Sequence, residues 1–321
     1  MTRLVIARDR SVFDDVGQRM LDEGMRELPG VWGDSTVEML PQKRHRGRCR
    51  LCGNDEMLTR EHIPPGAALN LGRSRVHTIE EWIRRQGDDL PGGVLRQGGN
   101  WSFTLCKPCN DRTGARYGDE YKRWADVILN MLAEAKTNVR ELDAELQPRG
   151  GTMTLDGGDG RPSPRPGAFV RQVLSMFCSL SGGYDLAGKF PAIRRIVLDG
   201  AVEPLPAGMS IGMTIYLNTR SRVVGPMWVG DTRRGTWRWL MEVAHAPIAT
   251  LLVLKSNRED DGPAHICDIS NFTQIGPNAH ARVDGDIQIT TAYQPEVGDY
   301  RTRAQVEAEA RETVLVPREG L

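Results

Sequence analysis

The sequence predicts an α+β protein: a small metal-stabilised N-terminal module, followed by a C-terminal domain of mostly antiparallel strands with helices. Three observations carry this. Two Cys-x-x-Cys pairs, Cys49/Cys52 and Cys106/Cys109, bracket a stretch rich in Gly, Arg and Pro with no long apolar period, which suits a fold stapled by metal rather than filled by a large core. Two helical periods follow it. Beyond residue 209, short runs alternate apolar and polar residues with a period of two, the pattern of half-buried strands.

Taken in order, residues 1–44 form an N-terminal segment in which VFDDVGQRMLDEGMREL places Val12, Val16, Met20 and Leu21 at helical spacing before Pro29-Gly30. The metal module with its following helix spans 45–147, and YKRWADVILNMLAEAK brings Tyr121, Trp124, Ile128 and Leu132 to one helix face. The stretch QPRGGTMTLDGGDGRPSPRPG, loaded with Gly and Pro, reads as a domain linker, or as a flexible surface hairpin with a linker after it. A C-terminal domain of unknown role covers 168–321. It opens with the helix AFVRQVLSMFCSL, closed by Ser181-Gly182-Gly183. Strands follow in SIGMTIYL (Ile211, Met213, Ile215 and Leu217 alternating), VVGPMWVG, WRWLMEV, IATLLVLK and DIQITTAY, the last entered through the Asp284-Gly285 turn. The tail TRAQVEAEARETV is charged and helix-prone. No internal repeat is visible.

The bulk properties narrow the class. A length of 321 residues accommodates two ordinary domains, and 39% apolar residues suffice for real cores. No window approaches the roughly 18 uninterrupted apolar residues of a membrane helix. The start, MTRLVIARDR, lacks a secretory apolar region, so a cytoplasmic protein is expected. Net charge is zero, from 42 basic and 42 acidic residues, unlike a strongly basic nucleic-acid binder. Local clustering matters more for phosphate contact. Lys43, Arg44, Arg46, Arg48 and Arg50 crowd together, with His45 among them, just ahead of the first cysteine pair. Such a run is commonly a solvated loop; its position makes it a candidate phosphate-contacting segment.

Six cysteines are present. Paired Cys-x-x-Cys in a cytoplasmic protein reads first as metal and second as redox chemistry. Four thiolates in a tetrahedron suit a structural Zn²⁺ with no open coordination position, and the two-residue gap lets one turn of backbone aim both sulfurs at one ion. Gly53 fits the tight turn after the first pair. Cys178 and Cys267 stand alone in apolar surroundings and read as buried small hydrophobes. A closed zinc site leaves the reactive groups elsewhere. Between the pairs stands Glu61-His62-Ile63-Pro64-Pro65; in extended backbone the carboxylate and the imidazole point to opposite sides, so one can bind a metal while the other faces a water.

The array formed by Cys49, Cys52, Glu61, His62, Pro64, Asn100, Leu105, Cys106, Cys109, Asn110 and Gly114 resembles the HNH (His-Me finger, ββα-metal) endonuclease family in its zinc-bound treble-clef form. The likeness covers residues 45 to 125. It implies a β-β-α unit holding one divalent ion, Mg²⁺ or Mn²⁺, with His62 deprotonating the attacking water. It also implies Glu61 and Asn110 as ligands of that ion, and Asn100 as the middle Asn that holds the His-bearing loop. Where many relatives carry Lys after Cys-Asn, this chain has Thr113, with Arg112 and Arg116 close by as further phosphate contacts. The interval from His62 to Cys106 is longer than the minimal module, which implies an insertion around VHTIEEWIRRQGDDL.

Those residue types suit phosphodiester hydrolysis. A hard cation on oxygen ligands stabilises the charge that develops. A neutral imidazole can take the water's proton at neutral pH, provided an acceptor at its other nitrogen fixes the tautomer. The expectation is a metal-dependent endonuclease acting on DNA, able to self-associate. Its rivals are a catalytically silent zinc-bound nucleic-acid-binding module, and an effector nuclease controlled by a ligand or by oligomerisation through its C-terminal domain. Elsewhere, His77, His245, His265 and His280 show no ligand spacing. Trp228, Trp237 and Trp239 with Arg220, Arg222, Arg233, Arg234 and Arg238 could clamp nucleic acid, but such residues more often pack a sheet and its rim. There is no Gly-Lys-Ser/Thr phosphate loop and no Gly-x-Ser-x-Gly elbow.

Overall fold

A computed structural model describes residues 41–68, 70–72, 74–76, 94–134, 149–156, 162–216, 221–231, 236–256 and 267–290. The expected helix over Val12–Leu21, residues 77–93 of the expected insertion, the tail helix, His77 and His265 lie outside them, as do the side chains of Trp228, Trp237 and all five arginines grouped with them.

The N-terminal module begins with β1 (Arg46–Arg48), which pairs antiparallel with β2 (Asp55–His62). The first cysteine pair lies in the connection between them. There the Gly53 N–H closes on the Cys49 carbonyl at 2.9 Å, and Gly53 adopts φ +82°, a left-handed turn that favours glycine. The excursion after His62 includes a small ribbon of β3 (Ser74–Val76) and β4 (Val94–Arg96). The chain returns as β5 (Trp101–Cys106), antiparallel to β2 and giving the order β1-β2-β5. β5 runs directly into α1 (Lys107–Thr113), whose first turn holds Pro108 and Cys109; proline is tolerated there because that N–H has no helical partner. One wider π-turn, Gly114–Gly118, leads to α2 (Asp119–Glu134). As the period predicts, Tyr121, Trp124 and Ile128 are all buried.

Within the stretch read as linker or flexible hairpin, the structure places a strand, β6 (Arg149–Leu155), paired residue for residue with β12 (Val283–Thr290). Gly150 and Gly151 contribute no side chain to the alternation, so the strand is invisible locally and is formed by its distant partner. α3 (Pro166–Leu180) is buried along its whole length and so lies at the centre of the molecule rather than on a face. Two short helices follow, α4 (Leu186–Lys189) and α5 (Pro191–Arg194). Then come β7 (Ser210–Tyr216), β8 (Arg222–Asp231), β9 (Thr236–His245), β10 (Ile248–Ser256) and the short β11 (Cys267–Asp268). The sheet order is β6-β12-β7-β10-β9-β8, with β11 also on β7. All pairings are antiparallel except β12 with β7. Pro226 falls where the register of β8 slips, on the outermost strand of that order, the setting that tolerates a residue without an N–H.

A single core takes residues from both sides of the 147–168 boundary. Trp124 of α2 stacks on Phe169 of α3 with ring centroids 4.1 Å apart, and the Tyr117 hydroxyl donates to the Val197 carbonyl at 2.9 Å. Arg171 of α3, fully buried, donates to the carbonyls of Gly167, Ile196, Gly200, Ala201, Thr273 and Ile275. One guanidinium thereby pins two separate segments, 196–201 and 273–275, to the central helix, and burial pulls its pKa below the ordinary arginine value. No helix among the described residues is long and apolar enough to cross a membrane.

Candidate functional site

The ligand atoms of Cys49, Cys52, Cys106 and Cys109 all lie within 4.8 Å of one another. Zn–S bonds of about 2.3 Å would set tetrahedral sulfurs about 3.8 Å apart, and the Cys52 and Cys106 sulfurs are 3.8 Å apart. The chemistry of the donors fits as well. A hydrogen bond from the Cys109 thiol, helped by backbone N–H groups of Cys106, Cys52 and Leu51, draws the Cys49 thiol well below the ordinary cysteine value. A bound cation would draw the protons from the four thiols. The four cysteines can hold one zinc ion. The C-terminal half braces this cluster: Arg50 donates to the Ser179 carbonyl at 2.7 Å, and Arg194 to the Leu51 carbonyl at 3.1 Å.

Glu61 and His62 close β2, and the pleat sends them to opposite faces. His62 lies with Arg60, Trp101 and Phe103 on the open face of the hairpin, in the register His62↔Trp101 and Arg60↔Phe103. Its Nε2 is 3.0 Å from the Gly98 carbonyl. A carbonyl only accepts, so Nε2 carries the hydrogen and Nδ1 keeps its lone pair. Partial burial, then the Arg60 charge, holds the imidazole below its ordinary value, hence neutral at pH 7.

The loop presenting that carbonyl is built by residues the sequence reading did not single out. Gly98 and Gly99 take φ +75° and +76°. A Cβ on Gly99 would come within 2.1 Å of the Asn70 carbonyl oxygen and 2.4 Å of its Oδ1. Asn70 is the clamp: its Nδ2 donates to the Pro64 carbonyl at 2.6 Å and the Asn100 carbonyl at 2.9 Å, while its Oδ1 accepts from the Asn100 N–H at 2.7 Å. The resemblance implies Asn100 as the residue that holds the His-bearing loop. In the structure it does so through its main chain, also accepting from the Ile63 N–H at 2.9 Å, and the bridging side chain belongs to Asn70. The tandem glycine before Asn100 was the available signal for this loop; Asn70 carries none.

Glu61 goes the other way. Its carboxyl is 4% exposed and accepts from Ser179 Oγ at 2.5 Å and Thr104 Oγ1 at 3.5 Å. Burial first, and then the Cys49 charge, pushes it up to about 8. Asn110 sits in α1 with its amide nitrogen on Thr59 Oγ1 (3.1 Å) and the Arg60 carbonyl (2.8 Å). The expected convergence of Glu61 and Asn110 on one ion beside His62 is therefore absent from this arrangement. The carboxyl is protonated and turned into the interior against α3, while the imidazole is on the far face of the strand.

The expected phosphate contacts divide. Lys43, Arg44 and Arg112 are exposed. Arg46 pairs with Asp55 at 3.2 Å and Arg48 with Asp185 at 2.9 Å, and Arg116 donates to the Leu198 carbonyl at 3.0 Å. Elsewhere, Cys178 is buried as expected and Cys267 partly so; Trp239 is core. His245 bonds Ser221, and His280 bonds the Ser163 carbonyl. Comparison with protein-family models, with curated proteins and with solved structures finds no match.

Proposed function

We propose that this chain is a zinc-stapled phosphodiester hydrolase of the HNH type, in its treble-clef form, acting on DNA with His62 as the general base. The observation that supports it most is the state of His62: a neutral imidazole, oriented through Nε2 on a backbone carbonyl, with Nδ1 left to receive a proton. That is the condition a general base must meet at neutral pH. Its setting supports the same reading, because it closes the first strand of a hairpin whose second strand runs into a helix carrying the second cysteine pair.

The four cysteines fit the structural zinc. For the second ion, Mg²⁺ or Mn²⁺, Glu61 as placed does not fit: a protonated, enclosed carboxyl is a poor ligand for a hard cation. His62 Nδ1 takes a proton from the water whose oxygen bonds to phosphorus, the P–O bond to the departing strand breaks, and solvent protonates the leaving oxygen; Gly98 holds the imidazolium until it returns its proton to solvent, and Asn70 keeps the Gly98–Asn100 loop against Pro64.

The burial of Glu61 favours a second reading, a zinc-bound module that binds nucleic acid without cutting it. A nicking assay on supercoiled plasmid, with Mg²⁺ or Mn²⁺ added, separates the two. Hydrolysis predicts nicking by the wild type that falls about 10²-fold or more in His62→Ala at equal zinc content. Plasmid bound but never nicked by either protein supports the binding module.

A further inference from the structure

Beside His62 the open face of the β2–β5 hairpin carries an arginine–aromatic cluster with no role in the steps above. The Arg60 guanidinium lies over the Trp101 ring at 4.3 Å, and its Nη2 donates to the Gly98 carbonyl at 3.3 Å, the same oxygen that orients His62. Trp101 meets Phe103 edge to face at 5.7 Å. Arg60 is exposed and both rings are half-buried. The exposed basic pair Lys43 and Arg44 starts from the same strand edge: the Phe103 N–H donates to the Pro41 carbonyl at 2.9 Å, and the Gln42 side chain donates to the Trp101 carbonyl at 3.3 Å. In a chain of zero net charge, cations and aromatic faces are thus gathered within reach of the one oriented imidazole of the hairpin.

We infer that Arg60 and Trp101 form a subsite for an unpaired nucleic-acid strand, the guanidinium taking a backbone phosphate and the indole a neighbouring base. The choice of an unpaired strand follows from the chemistry. A base inside a duplex has both faces covered by its neighbours, whereas a single strand can lay a base on a ring, and stacking of that kind tolerates any sequence. A flat guanidinium is suited to phosphate as well as to the indole face. The inference rests on the hydrolytic reading only in making His62 the group that acts on the bound strand; binding itself does not require cutting.

The test uses the full chain with zinc bound, carrying His62→Ala so that the probe survives, and a fluorescein-labelled oligothymidylate followed by anisotropy. Trp101→Ala is expected to weaken binding about tenfold or more, with Trp101→Phe retaining most of it. Arg60→Ala is expected to lower the salt dependence by about 0.7 in the log–log slope, one phosphate contact on a single strand. Unlabelled duplex of equal length should compete poorly. Unchanged affinity in both Trp101 variants, at wild-type zinc content and melting temperature, overturns the proposal, as does duplex competing as well as single strand. The two readings fail separately: binding that depends on Trp101 without any nicking by His62-containing protein removes hydrolysis and leaves the subsite, whereas His62-dependent nicking with Trp101-independent binding does the reverse.

Discussion

The carboxyl of Glu61 keeps its proton in the folded protein up to about pH 8, whereas in the unfolded chain it loses it near its ordinary value of about 4.5. Between those values the folded state binds the extra proton, so its contribution to stability falls as pH rises, by up to about 1.4 kcal/mol per pH unit. Glu61→Gln keeps the neutral shape and its hydrogen bonds. Urea melts at about pH 5 and about pH 8 are expected to show a smaller loss of stability in that variant than in the wild type; an identical loss would mean that the carboxyl is ionised and paired. Asn70 acts at the same scale by a different route. The buried Asn70 makes three hydrogen bonds, so Asn70→Ala is expected to cost about 1–3 kcal/mol and to free the Gly98 carbonyl from its fixed position. NMR titration of His62 should then show its midpoint falling further below the ordinary value, because the Gly98 hydrogen bond favours the charged imidazole. These residues explain what a sequence can and cannot reveal about a site. His62 stands out in the sequence because it follows a carboxylate between two cysteine pairs. The direction of Glu61 does not, because it is set by Ser179, a residue 118 positions away, and the clamp does not, because it joins Asn70 to Asn100 across an excursion with no periodic pattern.

At the scale of elements, the cysteine cluster holds the β1–β2 connection, β5 and α1 together, beside the buried Leu51, Leu58 and Leu105 and the buried polar set Glu61, Ser102 and Thr104. Removal of zinc by a chelator is therefore expected to unfold the module, as structural zinc sites do, and to lower the melting temperature of the whole chain, because Arg50 and Arg194 tie the cluster to α3 and α5. Calorimetry with and without chelator measures it; an unchanged transition would show that the thiols hold no ion. The elements differ in how far they could be foreseen. α2 announces itself by a 3.6-residue period, α3 by an apolar run closed at Ser181-Gly182-Gly183, and β7 by its alternation, since each satisfies its own pattern. β6 does not, because Gly150 and Gly151 supply no alternation and its hydrogen bonds are completed by β12, more than a hundred residues later.

Across the whole molecule, α3 is the element on which both halves close. Its Phe169 receives Tyr121 and Trp124 from the N-terminal side, its Ser179 receives Glu61, and its Arg171 gathers carbonyls from the segments around 196–201 and 273–275. Arg171→Met would strand those carbonyls in the interior, at a cost on the order of 3 kcal/mol or more. A single cooperative transition at lower denaturant is expected, and two separated transitions would contradict a shared core. A helix buried on every side shows no amphipathic face in its sequence, which is why the residues on each side of 147–168 read as separate units while their cores merge. The proposed hydrolysis depends on one group in this assembly, the imidazole of His62. The most direct measurement is chemical rescue: nicking by His62→Ala, matched to the wild type in zinc content and melting temperature, assayed with and without added imidazole. If His62 is the general base, the variant is nearly inert and regains cutting as imidazole is added. Undiminished cutting by the variant with no imidazole present would contradict it.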